Sequence, residues 1–262
     1  IETDELIHKM EQENGMYLLF PPENEDYIQY RRAIATFTSD ELYNLENWGD
    51  FICIDPTFTT LRSNWSIIPI SLVGPDRDLR SGGVIFCCNV NSDIYEWLIK
   101  ELCYSLPCSK ILKTICSDDD VALDASYTNL EQDPVCSKVN RIICIWHKMR
   151  LFNTIVQNTN LSSKKKEKEI KKFHEMVFTK NTEKCLKIKN EICALDPKLK
   201  DFFTTSFENR FETSTKSFTK HVWSLGYLAN VFSECNNSCL KRLKKSKAST
   251  LAEMRDVITR SE

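Results

Sequence analysis

Acidic residues that directly follow predicted strands are the side chains of this sequence best suited to chemistry. Asp55 follows the apolar run 51–54 and is itself followed by Pro56. No Lys or Arg lies beside Asp55 in the sequence, and an unpaired buried carboxylate costs several kcal/mol or takes up a proton. Asp55 therefore either caps a turn at the end of a strand or serves as a metal or catalytic ligand at the edge of a sheet.

Two further acidic segments have the same pair of interpretations. Asp118, Asp119 and Asp120 stand between a predicted strand and a predicted helix, and Glu234 opens a predicted late helix. Acids in the first turn of a helix stabilise it by ~0.3–1 kcal/mol each through the helix dipole. That role can belong to Asp119 and Asp120 while Asp118 does chemistry, and Glu234 is either a first-turn acid or a ligand.

Elements that position these acids follow from hydrophobic periodicity and turn residues. Short, turn-rich links between the first three strands predict an antiparallel meander. The first 46 residues are predicted as helix and loop, with a helix start at Ser39, and the chain from 148 to about 220 as helical and rich in Lys. Between them we predict strands at 51–55, 65–73, 82–90, 110–116 and 139–147, and helices at 92–106 and 119–130.

This order, three strands followed by alternating helix and strand, is typical of a ribonuclease H-like core. It predicts an α/β fold with a mixed sheet and an all-helical insertion before the last catalytic helix. In that arrangement the first and fourth strands end side by side at the centre of the sheet, and the late helix crosses them. Asp55, Asp118 and Glu234 would then converge.

Three converging carboxylates are suited to phosphodiester chemistry. Two divalent metal ions ~3.5–4 Å apart can activate a nucleophile and stabilise the leaving oxygen. Magnesium takes hard oxygen ligands and needs only a few carboxylates, because waters and substrate phosphates supply the rest. The three acids therefore form a candidate two-metal site.

Residues 51–153 resemble the transposase domain of Mutator-like elements (MULE), a eukaryotic group of DDE transposases. The segments that carry this resemblance are "DPTF", "IYEWLIKEL", "TICSDDDVALDA" and "CIWHKMRLFN". Ser117 stands where the family usually has Thr. The segment "SECNNSCLKRLKK" (233–245) matches the region of the family's third acid at Glu234, although the Thr-Asn usual just upstream is blurred to "LANVF". The resemblance extends over roughly 50–245.

The resemblance implies a DNA transposase that cleaves and joins DNA strands. Asp55, Asp118 and Glu234 would bind two Mg²⁺ or Mn²⁺ ions, and Glu208 and Glu212 are rival candidates for the third acid. Water would be activated for nicking, and then the freed 3′-hydroxyl for joining. The implied partners are the element ends and target DNA, with self-association on DNA, and the implied location is the nucleus.

The segment "CIWH" contains Cys144 and His147 on a predicted strand. Cys-x-x-His can be half of a zinc site, but a structural zinc ion needs four ligands. Cys136 and the pair Cys235 and Cys239 could complete such a site. We favour instead a core thiol with His147 pointing into the cleft. A further alternative is that His147 lies near the metals and contacts a scissile phosphate, and zinc stays an alternative as well.

The charge of the chain is unevenly distributed. Residues 1–50 sum to −9, whereas residues 161–190 hold ten Lys and four Glu, or +6, within a net charge of −2. Such basic runs are either solvated helix faces or polyanion-binding surfaces. Trp223, at the end of the helical insertion, is either a core residue or a stacking platform for a flipped base. The basic candidates for DNA contact are Lys164, Lys165, Lys166, Lys241, Arg242, Lys244 and Lys245.

Composition narrows the class of protein. The 12 cysteines are scattered without a Cys-x-x-Cys pair, which predicts free, buried thiols and a reducing, intracellular compartment. No apolar run approaches the ~18–20 residues of a membrane span, so no membrane partner is expected.

The predicted organisation has four parts. They are an acidic N-terminal segment (1–48), the ribonuclease H-like core (49–147), the helical insertion (148–225) and a C-terminal helical part with the third acid (226–262). The alternatives to a transposase are a domesticated, non-catalytic DNA-binding regulator derived from one and a ribonuclease H-like nuclease that cuts without joining.

Overall fold

The chain forms an α/β fold built on a mixed sheet, and the computed structural model describes residues 2–21, 32–56, 65–222, 224 and 250–259. The strands are β1 (Met16–Phe20), β2 (Ala33–Phe37), β3 (Phe51–Ile54), β4 (Ser66–Val73), β5 (Leu79–Cys87), β6 (Thr114–Ser117) and β7 (Asn140–Ile143). The helices are α1 (Glu2–Gln12), α2 (Ser39–Trp48), α3 (Ser92–Tyr104), α4 (Val121–Asn129), α5 (Ile145–Gln157), α6 (Ser163–Phe178), α7 (Thr182–Cys193), α8 (Pro197–Asp201), α9 (Phe211–Ser214), α10 (Lys216–Thr219) and α11 (Leu251–Thr259).

The seven strands lie in the order β1-β2-β5-β4-β3-β6-β7. Pairing is antiparallel from β1 through β2, β5 and β4 to β3. The amides of Lys113 and Thr114 donate to the carbonyl of Asp50 at 3.0 and 3.1 Å. The strands β3 and β6 therefore begin side by side and run parallel, which makes the sheet mixed.

The predicted antiparallel meander of the first three strands is confirmed in β3, β4 and β5. A register irregularity follows Ile70, which lies opposite Gly83. Gly83 has φ +124°, and a Cβ built on it would lie 2.5 Å from the Phe37 ring. Only glycine combines that backbone conformation with so close an approach of the neighbouring strand.

The prediction of helix and loop for the first 46 residues is wrong over two segments, because β1 and β2 lie there. Each is a run of five residues, and β2 is buried throughout because it pairs on both sides. The helix predicted from Ser39 is present, but its N-cap is Thr38. The Thr38 hydroxyl accepts from the Glu41 amide at 3.2 Å, and the Glu41 carboxylate accepts from the Thr38 amide at 2.7 Å, which completes a capping box.

Contacts within the chain divide it into two compact units. The first unit comprises 1–115, 120–139 and 231–262, and the second comprises 116–119 and 140–230. The first unit holds β1 to β5, the start of β6, and the helices α1 to α4 and α11. The second unit holds the end of β6, β7 and the helices α5 to α10.

The sheet of the first unit is covered on both faces. Alternate residues of each strand point to opposite faces, so Ile34, Ile67 and Phe86 share a cluster with α1 and α11. Ala35, Ile68 and Ile85 belong to the other cluster, with apolar residues of α2, α3 and α4. Burial of both faces explains why β4 is apolar at nearly every position rather than alternating.

A buried ion pair connects α11 to the rest of the first unit. The Arg255 guanidinium donates to both carboxylate oxygens of Glu41, one of them at 3.0 Å, and the two side chains are 0% and 2% exposed. The Ser81 hydroxyl donates to the same carboxylate at 2.7 Å. Glu41 thus joins a helix cap, a strand and the late helix in one hydrogen-bonded group.

The second unit is held together by phenylalanine rings. Phe152 of α5 stacks on Phe173 of α6 with ring centroids 4.1 Å apart. Phe202, Phe203 and Phe207 of the π-helical turn after α8 pack against Phe173 at 5.6 to 6.1 Å. The helical character predicted for this part of the chain is confirmed over the described residues.

Within the described parts of the chain, no helix has both the length and the apolar character that crossing a membrane would require.

Candidate functional site

Asp55 directly follows β3 in the first unit. All four residues of β3 are buried, and Ile54 lies opposite Ile70 in the register with β4. The Asp55 side chain is itself only 4% exposed. The sequence prediction of a buried carboxylate at a strand end is therefore confirmed, while its role as a ligand stays a prediction.

Asp118 directly follows β6. The residues of this strand from Cys116 onward, and Asp118 itself, belong to the second unit. The Ser117 hydroxyl donates to the backbone carbonyl of Asp118 at 3.0 Å. The Ser117 carbonyl accepts from the amide of Cys144 at 2.7 Å, so the ends of β6 and β7 are joined. Asp118 is half-buried, which leaves part of its surface open to solvent.

Asp120 acts as the N-cap of α4. One of its carboxylate oxygens accepts from the Ala122 amide at 2.8 Å, and the other accepts from the Tyr95 hydroxyl at 3.0 Å. Both bonds lie within the first unit. The side chain therefore has the structural role that the sequence analysis offered as the alternative to chemistry.

Asp119 lies between two basic side chains of the second unit. Lys148 of α5 donates to one carboxylate oxygen, and Arg210 Nε donates to the other at 2.5 Å. Burial alone would raise the pKa of Asp119, but the hydrogen bonds and charges of Lys148 and Arg210 outweigh it and lower that pKa. Asp119 thus anchors the chain beside Asp118.

Lys148 is a buried charged residue that the sequence analysis did not single out. Its side chain is only 4% exposed, and its ammonium donates to the Ser206 carbonyl as well as to Asp119. A signal was present, because Lys148 stands at helical spacing with Phe152 and Val156, which are both buried. A lysine in the apolar stripe of a helix needs an anionic partner.

Removing the Lys148 ammonium is expected to destabilise the second unit. The change Lys148→Met should lower the free energy of unfolding by roughly 2–3 kcal/mol, less than the ~3–5 kcal/mol typical of a broken buried pair, because Arg210 still faces Asp119. Since the pKa of Asp119 is lowered on folding, its contribution is present above the ordinary carboxyl pKa of about 3.9 and is lost as pH falls through the lower folded value.

Urea denaturation of Lys148→Met at neutral pH tests this expectation. The matched control is Lys171→Met, which breaks an exposed pair with Glu167 on α6 and should cost no more than ~0.5 kcal/mol. Equal losses of unfolding free energy in the two variants would show that the pair of Lys148 with Asp119 stabilises the chain no more than an exposed pair does.

The third predicted acid, Glu234, lies outside the described residues. Its rivals Glu208 and Glu212 are both exposed on the second unit, and Glu208 pairs with Lys189 at 3.7 Å. The assignment of Glu234 stays a prediction.

The prediction that "CIWH" forms a strand is wrong. The strand β7 ends at Ile143, Cys144 is the N-cap residue of α5, and His147 lies in the first turn of that helix. Helical spacing of buried residues from Ile145 onward outweighs the β preference of the apolar run. Cys144 is buried and His147 is half-buried.

The described cysteines are free thiols. Burial raises the pKa of Cys103 to about 11 and that of Cys108 to about 12, so both are protonated at neutral pH. Cys136 and Cys103 neighbour one another in the first unit, and burial raises the pKa of Cys136 as well. Cys235 and Cys239, the other proposed zinc ligands, lie outside the described residues.

The described residues hold two of the three predicted metal ligands, Asp55 and Asp118. Over ranges 2–21, 32–56, 65–222 and 250–259, no three His, Cys, Asp or Glu side chains are grouped so as to hold a metal ion. One of the three predicted ligands, Glu234, is not among these residues. The donor chemistry of Asp55 and Asp118, two carboxylates, is the kind that Mg²⁺ prefers.

The basic residues of the second unit divide into two groups. Further along α6, lysines pair with acids, as Lys171 does with Glu167 at 2.7 Å and Lys172 with Glu191 at 2.9 Å. In the first turn of α6, Lys164 and Lys165 are exposed, and Lys166 donates to the Gln157 carbonyl at 2.7 Å. The other predicted DNA-contacting residues, Lys241, Arg242, Lys244, Lys245 and Trp223, lie outside the described residues.

Comparison with known proteins assigns no family to the chain. No family model matches it, and no curated protein matches its sequence. The interpretation of the site therefore rests on the residues and on the geometry given above.

Proposed function

We propose that this chain is the catalytic domain of a DDE transposase of the MULE type, which cleaves DNA strands and joins them to target DNA. The proposal includes a ribonuclease H-like core, a nuclear location and self-association on DNA. It takes up the resemblance of "DPTF", "TICSDDDVALDA" and "CIWH" to that family and adds the observations that follow.

The observation that carries the proposal is the continuation of two neighbouring strands into aspartates. The strands β3 and β6 are adjacent in the sheet order and begin side by side. Four residues of each strand precede Asp55 and Asp118 respectively. Each aspartate thus directly follows a strand whose residues are all buried, and the resemblance places the first two metal ligands at these two positions.

The neighbours of Asp118 support its selection from three consecutive acids. The carboxylate of Asp119 is held by Lys148 and Arg210, and that of Asp120 caps α4. These two side chains have structural partners that account for them. Asp118 directly follows β6 and matches the acid of the family's segment, and it is the acid that we assign to chemistry.

In the proposed mechanism Asp55, Asp118 and Glu234 supply the carboxylates that hold two Mg²⁺ or Mn²⁺ ions. Bound there, the ions would supply Lewis-acid activation of the attacking oxygen and stabilise the leaving oxygen. Asp55 and Asp118 each directly follow a strand whose four residues are all buried. His147, in the first turn of α5, is offered as a donor to a scissile phosphate.

The test is an assay of cleavage and strand transfer with supercoiled plasmid and a duplex that ends in a 3′-hydroxyl. We expect nicking and joining with Mg²⁺ or Mn²⁺, and neither with a chelator present. Cleavage without joining would favour the nuclease alternative. Binding of DNA without either reaction would favour the non-catalytic regulator.

A further inference from the structure

One face of α5 exposes an aromatic, a cationic and two amide side chains in a row. Their spacing of four, three and four residues places them within one narrow face of the helix. Trp146 is 48% exposed, and the other three are exposed as well. We refer to these residues, Trp146, Arg150, Asn153 and Gln157, as the α5 stripe.

Packing fixes the direction in which the α5 stripe faces. Lys148, Phe152 and Val156 form the buried side of the same helix, where Phe152 stacks on Phe173. The stripe is therefore held toward solvent by the core of the second unit. An exposed Trp on a rigid helix is uncommon, because Trp is highly buried on average, and the core does not account for it.

Charge around the stripe is of one sign along the chain. Residues 134–166 contain seven Lys and Arg and no Asp or Glu. Lys166 donates to the Gln157 carbonyl at 2.7 Å, which brings the first turn of α6 to the C-terminal end of the stripe. Lys198 donates to the adjacent Asn158 carbonyl at 2.6 Å. This excess of basic residues along the chain is complementary to a polyanion.

We propose that the α5 stripe binds single-stranded DNA. Trp146 stacks on an unpaired base, Arg150 contacts phosphate, and Asn153 and Gln157 hydrogen-bond to the strand. The choice of DNA rests on the proposed function and deepens it, because it specifies the strand state of the substrate. A base exposes its face to a side chain only outside a duplex stack, so an exposed Trp among cations fits a single strand.

The dimensions agree with a short strand. The ends of the stripe are eleven positions apart, which corresponds to about 16 Å along the helix axis at ~1.5 Å per residue. At ~3.4 Å per nucleotide that length spans about five nucleotides of a stacked strand. Lys164 and Lys165 would extend the phosphate contacts beyond Gln157.

The experiment measures fluorescence anisotropy of a labelled oligothymidylate with the full chain and a chelator, so that no cleavage chemistry contributes. We expect Trp146→Ala to weaken binding by roughly 5- to 150-fold, the loss of one stacked base. Trp146→Phe should retain most of the affinity. The control Leu151→Ala alters an apolar residue of similar exposure, 41%, on another side of α5 and should leave binding unchanged.

A salt series adds an independent readout. Arg150→Gln should flatten the slope of log affinity against log salt by about 0.7, the value for one phosphate contact on a single strand. The inference is overturned if the parent chain does not bind the oligonucleotide, or if Trp146→Ala binds it as tightly as the parent. It is also overturned if Trp146→Ala changes only self-association in sedimentation.

This experiment and the cleavage assay fail independently. Loss of single-strand binding in Trp146→Ala, in a chain that neither nicks nor joins DNA, would support the stripe and refute the transposase. Cleavage activity together with unaltered binding by Trp146→Ala would refute the stripe alone.

Discussion

Replacing Asp118 with Asn is expected to reduce metal-dependent DNA cleavage to the background of the assay while leaving the chain folded. The amide keeps the size of the side chain but removes the anionic oxygen that a metal ion requires. Asp55→Asn should have the same effect. In the proposed site, removing one of three converging carboxylates would relieve repulsion, so stability without metal should hold or rise.

Asp120, two positions further along the chain, provides a matched control for this expectation. Asp120→Asn preserves an N-cap side chain, since Asn and Asp cap helices equally well. Its amide oxygen can still accept from the Ala122 amide, and its amide nitrogen can donate to the Tyr95 hydroxyl oxygen. This variant should retain cleavage. Substantial cleavage by purified Asp118→Asn, or loss of cleavage in both variants alike, would refute the assignment of Asp118.

Breaking the ion pair between Arg255 and Glu41 is expected to give the largest loss of stability. Arg255→Met should lower the free energy of unfolding by ~3–5 kcal/mol, because the Glu41 carboxylate stays buried without its cation. Urea denaturation followed by circular dichroism gives the measurement. The double variant Glu41→Gln with Arg255→Met should recover part of the loss, since no charge then remains buried.

A second ion pair joins α11 to another helix of the first unit, and it serves as the control for Arg255→Met. Lys9 of α1 pairs with Asp256 of α11, and the two side chains are 19% and 42% exposed. Lys9→Met should therefore cost no more than ~1 kcal/mol. If both variants lost the same stability, the effect would reflect displacement of α11 and not the buried charge.

Parts of the fold could be predicted because local signals agreed with the tertiary environment. The strands β3, β4 and β5 are apolar runs bounded by turn residues, and burial on both faces of the sheet requires such runs. The strands β1 and β2 were missed because they are short and stand in a segment dominated by acids. Their partners supply the stabilisation, and a partner strand is not visible in a local window.

The candidate site, like the fold, could be predicted only in part. Asp55 and Asp118 could be named because each follows a recognisable strand. The contacts of Asp119 with Lys148 and Arg210 could not be predicted, because Arg210 lies 91 residues from Asp119 in the chain. The β preference of "CIWH" likewise hid the start of α5, whose buried positions repeat with helical spacing.

The pairing of Glu41 with Arg255 also has a consequence for biosynthesis. The two residues are 214 positions apart, so a ribosome working at ~5–20 residues per second adds Arg255 roughly 10–40 s after Glu41. Throughout that interval the Glu41 carboxylate lacks its partner, the Arg255 guanidinium. Residues 140–230 of the second unit, by contrast, are synthesised as one continuous stretch. The second unit is thus fully synthesised before Arg255, and it can fold before α11 completes the first unit.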